Sequence, residues 1–447
     1  MFVRAEVELN ITRKNIWQVL SPAIVVGLVA LFFIILEMSI PFTSAVADVY
    51  PAYALYSLFY VVLIASYIGC SLCLHAALPC STQRDIKAPP VFLYKVMLFS
   101  CWVSIVGICF LVIDRSLYQG VDFMNDNFVE IRSRLNVERG GGGGVSSIFS
   151  VLGNLMQFWY FFSLVFLIYY YEFFLPGQRR ILVVLMLVIL LTGSYILGGR
   201  SLVAVLVVSA MSVVLARRSS GRIISYKLFS ANFLLKVFIV AGFCLSLVMY
   251  VFYMRASVGG NESASYLDKF VYHLHGKEVQ GYEVCGEGLY CDFKNYLQLT
   301  ALYAVHVFWV LAESIQYVPT EAGGSALWGG ILELYSKVGG PSGAGNYPYA
   351  GLFNSLPGSI YYEYGWLGVI VGSLYCGVVF SLINFLLLRS SGVFKVIFYV
   401  VLLDTLLVSP VLSSLNVIMF IFVIVSLLSV AFIYVFLCSL KKVECSR

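Results

Sequence analysis

The sequence is short of charge. Only 11% of its 447 residues are Asp, Glu, Lys or Arg, while 61% are hydrophobic. A soluble domain carries about 25% charged and about 45–50% apolar residues. Too little charge to cover a soluble surface, with a mean hydropathy of +0.92, excludes a soluble globular protein. The chain reads as an all-α polytopic membrane protein, a single integral membrane domain over 1–447. Metal ligands are scarce too: His273 and His275 form an HLH pair with no further ligand at metal spacing, so no metal site is expected. The net charge of +5 does not signal nucleic acid, because the basic residues follow membrane topology. A cleavable signal peptide is not evident: MFVRAEVELNITRKNI at the N-terminus is polar, and the apolar run behind it is long enough to stay as a span. No internal repeat is visible, which weakens an inverted-repeat transporter.

A helical span needs about 20 mostly apolar residues. The apolar runs predict about ten spans, at 17–37, 53–74, 91–113, 148–175, 181–197, 201–216, 232–254, 359–388, 393–409 and 416–438. With a cytoplasmic N-terminus, Arg13, Lys14, Arg84, Lys87, Arg179, Arg180, Arg217, Arg218, Arg389, Lys395, Lys441 and Lys442 all fall on the inner side. The outer connectors 39–52 and 410–415 contain no Lys or Arg. That asymmetry predicts both termini inside.

Two larger outer segments remain. Residues 114–147 contain a charged piece and then a glycine run at 140–144, a flexible tether. Residues 255–358, between spans seven and eight, form a loop far longer than a connector needs, and such loops are usually functional. Within it, 296–318 looks helical, with Leu299, Leu302, His306, Trp309, Glu313 and Gln316 on one face. Its polar residues make it a poor span, and the pattern predicts an amphipathic helix at the outer surface, over the bundle or in the interface. Most of the eleven cysteines lie in or beside apolar runs and read as small hydrophobes. Cys285 and Cys291 share a polar loop, CGEGLYC, where they are either a disulfide in an oxidising compartment or two unrelated thiols.

Charge within or beside a bilayer is costly, so each case asks for a reason. Arg200 follows two glycines between apolar runs, a setting suited to an anion but equally open to a snorkelling interfacial arginine. Arg255 ends the seventh predicted span, and Arg115 stands beside Asp114, with which it could simply pair. His306 and Glu313 lie two turns apart on one helical face with Trp309 between them, as either a base pair or core residues. Glu363 sits at the outer boundary of the eighth span among Tyr361, Tyr362, Tyr364 and Trp366, rings that supply an aromatic belt or stack on sugar. Gly365, Gly368, Gly372 and Gly377 permit close helix packing, and Asp404 in the ninth span reads as a helix-gluing acid. Arginines suited to phosphate, aromatics suited to sugar and one or two possible bases fit a transferase acting on a lipid-pyrophosphate sugar.

In SYILGGRSLVAVL around Arg200, YAVHVFWV around His306 and GLFNSLPGSIYYEYGWLGVIVG at the eighth span, the sequence resembles the bacterial O-antigen polymerases, the Wzy-type oligosaccharide repeat unit polymerases. The late, large outer loop matches that family's layout, which O-antigen ligases share. The resemblance implies a multi-pass enzyme of the bacterial inner membrane, a GT-C-like glycosyltransferase active at the periplasmic face. It would join undecaprenyl-pyrophosphate-linked repeat units into surface polysaccharide, with no cofactor, no metal and no nucleic acid. Membrane lipids and a chain-length regulator protein are the other partners it implies. On this reading Arg200, Arg255 and Arg115 bind pyrophosphate, and His306, Glu363 or Glu313 orients or deprotonates the acceptor. Trp309, Tyr361 and Tyr362 contact sugar, under the roof of helix 296–318. A ligase and a lipid-linked oligosaccharide flippase are the alternatives.

Overall fold

Apolar runs in lipid must satisfy their backbone internally, and helix is the way a single run does so. The computed structural model describes residues 13–40, 43–44, 48–77, 91–123, 147–197, 201–220, 242, 246, 249–250, 252–253, 263–275, 279–280, 284–286, 288–317, 326–337, 354–389 and 392–445. In chain order these form α1 (Arg13–Ser39), β1 (Thr43–Ser44), α2 (Tyr50–Ala77), α3 (Val91–Leu117), α4 (Ile148–Met156), α5 (Tyr160–Tyr169), α6 (Pro176–Leu197), α7 (Ser201–Ser219), α8 (Ser263–His275), β2 (Val279–Gln280), α9 (Leu289–Tyr317), α10 (Gly329–Lys337), α11 (Leu356–Arg389), α12 (Val393–Val408) and α13 (Ile418–Cys445). The two short strands pair antiparallel, Thr43 opposite Gln280.

Among the described residues, nine helices are long and apolar enough to cross a membrane, the pattern of a multi-pass membrane protein. The spans expected at 17–37, 53–74, 91–113, 148–175, 181–197, 201–216, 359–388 and 416–438 each coincide with one of them. The span at 393–409 forms as α12, only 16 residues long and buried along much of one side. The span at 232–254 falls almost wholly outside the described residues, as do Arg200, Arg255 and the glycine run.

The ninth helix of crossing length is α9, where the sequence pattern pointed to a surface helix at 296–318. Of the six residues on the shared face, Leu299, Leu302, His306 and Trp309 are buried, Glu313 is half-buried and Gln316 is exposed. Over its first half the opposite side stays open, with Phe293 and Leu297 exposed. From Val305 to Ala312, however, every residue is buried, so this half is not amphipathic. Neighbours enclose it on several sides. Phe308 packs on Tyr53 and Tyr56 of α2, at 5.6 and 4.8 Å between ring centroids. Trp309 Nε1 donates to Glu37 of α1 at 3.3 Å, and a Cβ on Gly358 would stand 3.3 Å from Leu311. The contacts with Glu37, Tyr53 and Tyr56 fall near the adjoining ends of α1 and α2, at one end of the bundle.

The helix α11 is two limbs. Gly365, at φ 64° and ψ −163°, breaks it between 356–364 and 366–389. The chain reverses there: a Cβ on Gly372 would stand 3.1 Å from Ile360 Cδ1, twelve positions earlier. The short limb is buried throughout from Asn354 to Glu363. Its first backbone N–H, on Leu356, donates to Ser409 O at 3.0 Å, and Ser413 N–H donates to Asn354 O at 2.8 Å. Two breaks in helix, before α11 and after α12, thus satisfy one another inside the protein, the setting in which membrane proteins tolerate irregular backbone. Tyr60 O–H and Ser409 Oγ, 2.6 Å apart, mark the depth, about 15 Å along α2 from its first residue.

The long limb lies along α2. Tyr67 stacks beside Phe380 at 5.0 Å, Ser71 and Ser381 hydroxyls meet at 2.8 Å, and Asn384 Nδ2 donates to Tyr67 Oη at 2.8 Å. Asp404 is buried in α12 and accepts from Ser209 Oγ of α7 at 2.6 Å, the helix-joining role expected of it.

Charge divides between the two ends. Arg217 pairs with Glu172 and donates to Ile168 O at 2.7 Å, Arg179 lies over Tyr171, and Arg389 lies over Phe385. All belong to the end opposite Glu37, Asp48, Asp114 and Glu363. Cys285 and Cys291 form a disulfide that ties the segment ahead of α9 to its first turn. Asn295 holds that loop: its Oδ1 accepts from Cys285 N–H at 3.1 Å, and its Nδ2 donates to Cys285 O and to Ser263 Oγ, both at 3.0 Å. Replacing both cysteines by serine is expected to cost about 2 kcal/mol, the loop-closure entropy of so small a ring. Thermal unfolding of the double variant in detergent measures it, and an unchanged midpoint contradicts it.

Candidate functional site

The candidate residues that the structure describes gather at the acidic end of the bundle. An acid placed there is expensive unless hydrogen-bonded, and each of the buried ones has found donors. Glu363, on the short limb of α11, is 3% exposed, and its Oε1 accepts the Ala326 backbone N–H at 2.7 Å. Asp114, at the end of α3, accepts from Ser147 Oγ at 2.5 Å and from Gln119 Nε2 at 2.9 Å. Ser147 in turn caps α4 by accepting Ser150 N–H at 3.2 Å, so Asp114 ties together the two ends of the 114–147 segment.

Arg115 is buried beside it and donates from Nη1 to Gln119 Oε1 at 2.7 Å. Gln119 therefore bridges Asp114 and Arg115, and the guanidinium is turned into its own helix end. At the same end, Tyr195 near the close of α6 donates to Phe123 O at 3.5 Å. Arg200 follows in sequence, outside the described residues, as Arg255 does after Tyr253.

His306 is buried on α9, with Nδ1 3.0 Å from Tyr303 O and its ring 5.8 Å from that of Tyr303. Trp309, one turn on, is fully buried. Glu313 is half-buried. Further along, Gln316 clasps the start of α2: its Nε2 donates to Asp48 O at 2.9 Å and its Oε1 accepts Asp48 N–H at 3.3 Å. The expected aromatic belt splits. Tyr364 and Trp366 are exposed on either side of the break, whereas Tyr361 and Tyr362 are buried on the short limb. Trp309, Tyr361 and Tyr362 thus pack inside the protein rather than presenting open faces to a sugar, because the chain reversal at Gly365 turns the short limb inward.

Sequence reading missed Glu37. It occupies the last turns of α1, 6% exposed, and its Oε1 takes the Trp309 indole N–H. The signal was present in FFIILEMS, an acid inside an otherwise apolar run, but a position at the predicted span edge made it look like flank. Asn354 was missed as well: it is 2% exposed, and its Nδ2 donates to Ser359 Oγ at 3.2 Å.

Chemically, this end offers three buried carboxylates, Glu37, Asp114 and Glu363, a buried imidazole and a wall of rings, with indole, hydroxyl, amide and backbone N–H donors fixing the acids. Among the described residues, no group of His, Cys, Asp and Glu could hold a metal ion. No family model, no curated protein and no solved structure matches the chain.

Proposed function

We propose that the protein polymerises undecaprenyl-pyrophosphate-linked oligosaccharide repeat units into O-antigen or a related surface polysaccharide. It would do so as a GT-C-like glycosyltransferase at the periplasmic face of a bacterial inner membrane. The observation that carries this reading is the buried Trp309–Glu37 hydrogen bond at the acidic end of the bundle, in a chain whose 255–358 segment carries a disulfide. Disulfides persist in oxidising compartments, and the arginine-rich end lies opposite, as the positive-inside rule asks of a cytoplasmic face. Both termini are then cytoplasmic and the large segment 255–358 periplasmic. Arg200 and Arg255 hold the donor pyrophosphate and stabilise the charge that grows as it leaves, with Arg115 adding to the positive field. His306, Glu363 or Glu313 orients the acceptor hydroxyl. A chain-length regulator is the expected protein partner.

The test is the glycan of a deletion strain. A polymerase leaves single repeat units on the lipid core when deleted, whereas loss of a ligase or flippase leaves none. In the complemented strain, Arg200→Ala and Arg200→Lys are each expected to abolish long chains at normal protein level, since lysine does not replace a bidentate guanidinium. Full polymer length from both variants would sink the anion role.

A further inference from the structure

We infer that Glu37 is the carboxylate that takes the acceptor proton in the transfer step. The inference rests on the polymerase reading above and names a residue for it. Among the buried acids of this end, Glu363 has Oε1 engaged by the Ala326 backbone N–H at 2.7 Å. Glu37 is fixed differently. Its Oε1 receives the Trp309 indole N–H at 3.3 Å, while its Oε2 is buried and has no hydrogen-bond partner among the described residues. A buried, unpaired carboxylate oxygen costs free energy that nothing in the resting fold returns. A hydroxyl arriving at that oxygen supplies the missing donor.

The surroundings suit a sugar hydroxyl. Phe308, next to Trp309 in sequence, packs its ring on Tyr53 and Tyr56, so the half of α9 that holds the carboxylate also carries apolar rings. In the resting state α9 covers the acid. Trp309–Glu37 and Gln316–Asp48 are polar ties that this helix releases as the acceptor enters. In the step itself, the acceptor oxygen bonds to the anomeric carbon of the donor sugar. The bond from that carbon to the pyrophosphate oxygen breaks, its electron pair leaving with undecaprenyl pyrophosphate. The hydroxyl proton passes to Glu37 Oε2.

The experiment uses the full-length protein in proteoliposomes with lipid-pyrophosphate-linked repeat units, scored for chain extension across pH and for donor binding. Glu37→Gln keeps the shape and an acceptor for Trp309, and is expected to lose about 100-fold in extension rate with donor binding unchanged. Wild type should lose activity as pH falls through the titration of the base, and Glu37→Asp should move that acid limb. Glu37→Gln at the wild-type rate overturns the inference. Should Glu37→Gln fail to assemble, Glu37→Asp decides: a displaced limb supports the assignment and an unmoved one overturns it. Wild type that extends nothing overturns the polymerase reading itself, an outcome distinct from an active wild type with an active Glu37→Gln.

Discussion

Gly365→Ala is expected to destabilise the folded protein by about 2 kcal/mol, because the backbone there occupies a region open essentially to glycine alone. The observed φ of 64° and ψ of −163° bring Cβ of any other residue against its own backbone. The strain has no local outlet, since Tyr362 and Glu363 are buried just before the break and Tyr361 packs against Trp366 across it at 5.8 Å. The cheaper response is to straighten the turn, which withdraws the short limb from Ser409 and Glu363 from Ala326. On the polymerase reading proposed above, chain extension should therefore fall as well. Thermal unfolding in detergent and the glycan ladder read the two effects separately, and a variant with wild-type values in both would mean that the limb does not depend on this turn.

Gly377→Ala is expected to cost more, about 3 kcal/mol, the upper range for forcing volume into a packed interior. A Cβ at this position would overlap Ser66 Oγ and the Leu63 carbonyl and stand 3.0 Å from Tyr67 N. Two of those three atoms are backbone and cannot rotate away, so α2 and the long limb of α11 must separate. Separation would also pull apart the Ser71–Ser381 and Asn384–Tyr67 hydrogen bonds that lie further along the same seam. In lipid no hydrophobic force closes such a gap again, and association depends on fit. Gly69, with nothing within 4 Å of its would-be Cβ, is the control: Gly69→Ala should unfold at the wild-type midpoint. Equal midpoints for both variants would contradict the close approach.

Much of this architecture can be read in the sequence because long apolar runs leave the backbone one local solution. The spans on either side of 79–90, for instance, needed only hydropathy. The disulfide was visible as one of two options for a pair of cysteines in a polar loop, and Asp404 as a buried acid in search of a hydroxyl. What hydropathy does not carry is direction. The run 359–388 is largely apolar whether it passes straight or doubles back, and a single glycine dihedral decides. The helix α9 shows a second limit of hydropathy. Asn295, Gln298 and His306 lower its apparent apolarity, yet Asn295 spends its polar groups on Cys285 and Ser263, so its polarity is consumed internally rather than turned to water. Glu37 escaped notice because its hydrogen-bond partner, Trp309, lies so far along the chain that no local pattern links them.

The mutual pairing of Asn354–Leu356 with Ser409–Ser413 imposes an order of construction. When 354–364 is made, the backbone groups that will satisfy it do not yet exist, because α12 and the turn behind it are still to be synthesised. An unsatisfied backbone is not held in hydrocarbon, so this limb waits at the interface until Ser409–Ser413 is in place and is seated late. A chain cut short before α12 should therefore leave the limb outside the bundle and Glu363 without its lodging, however well every earlier helix has inserted.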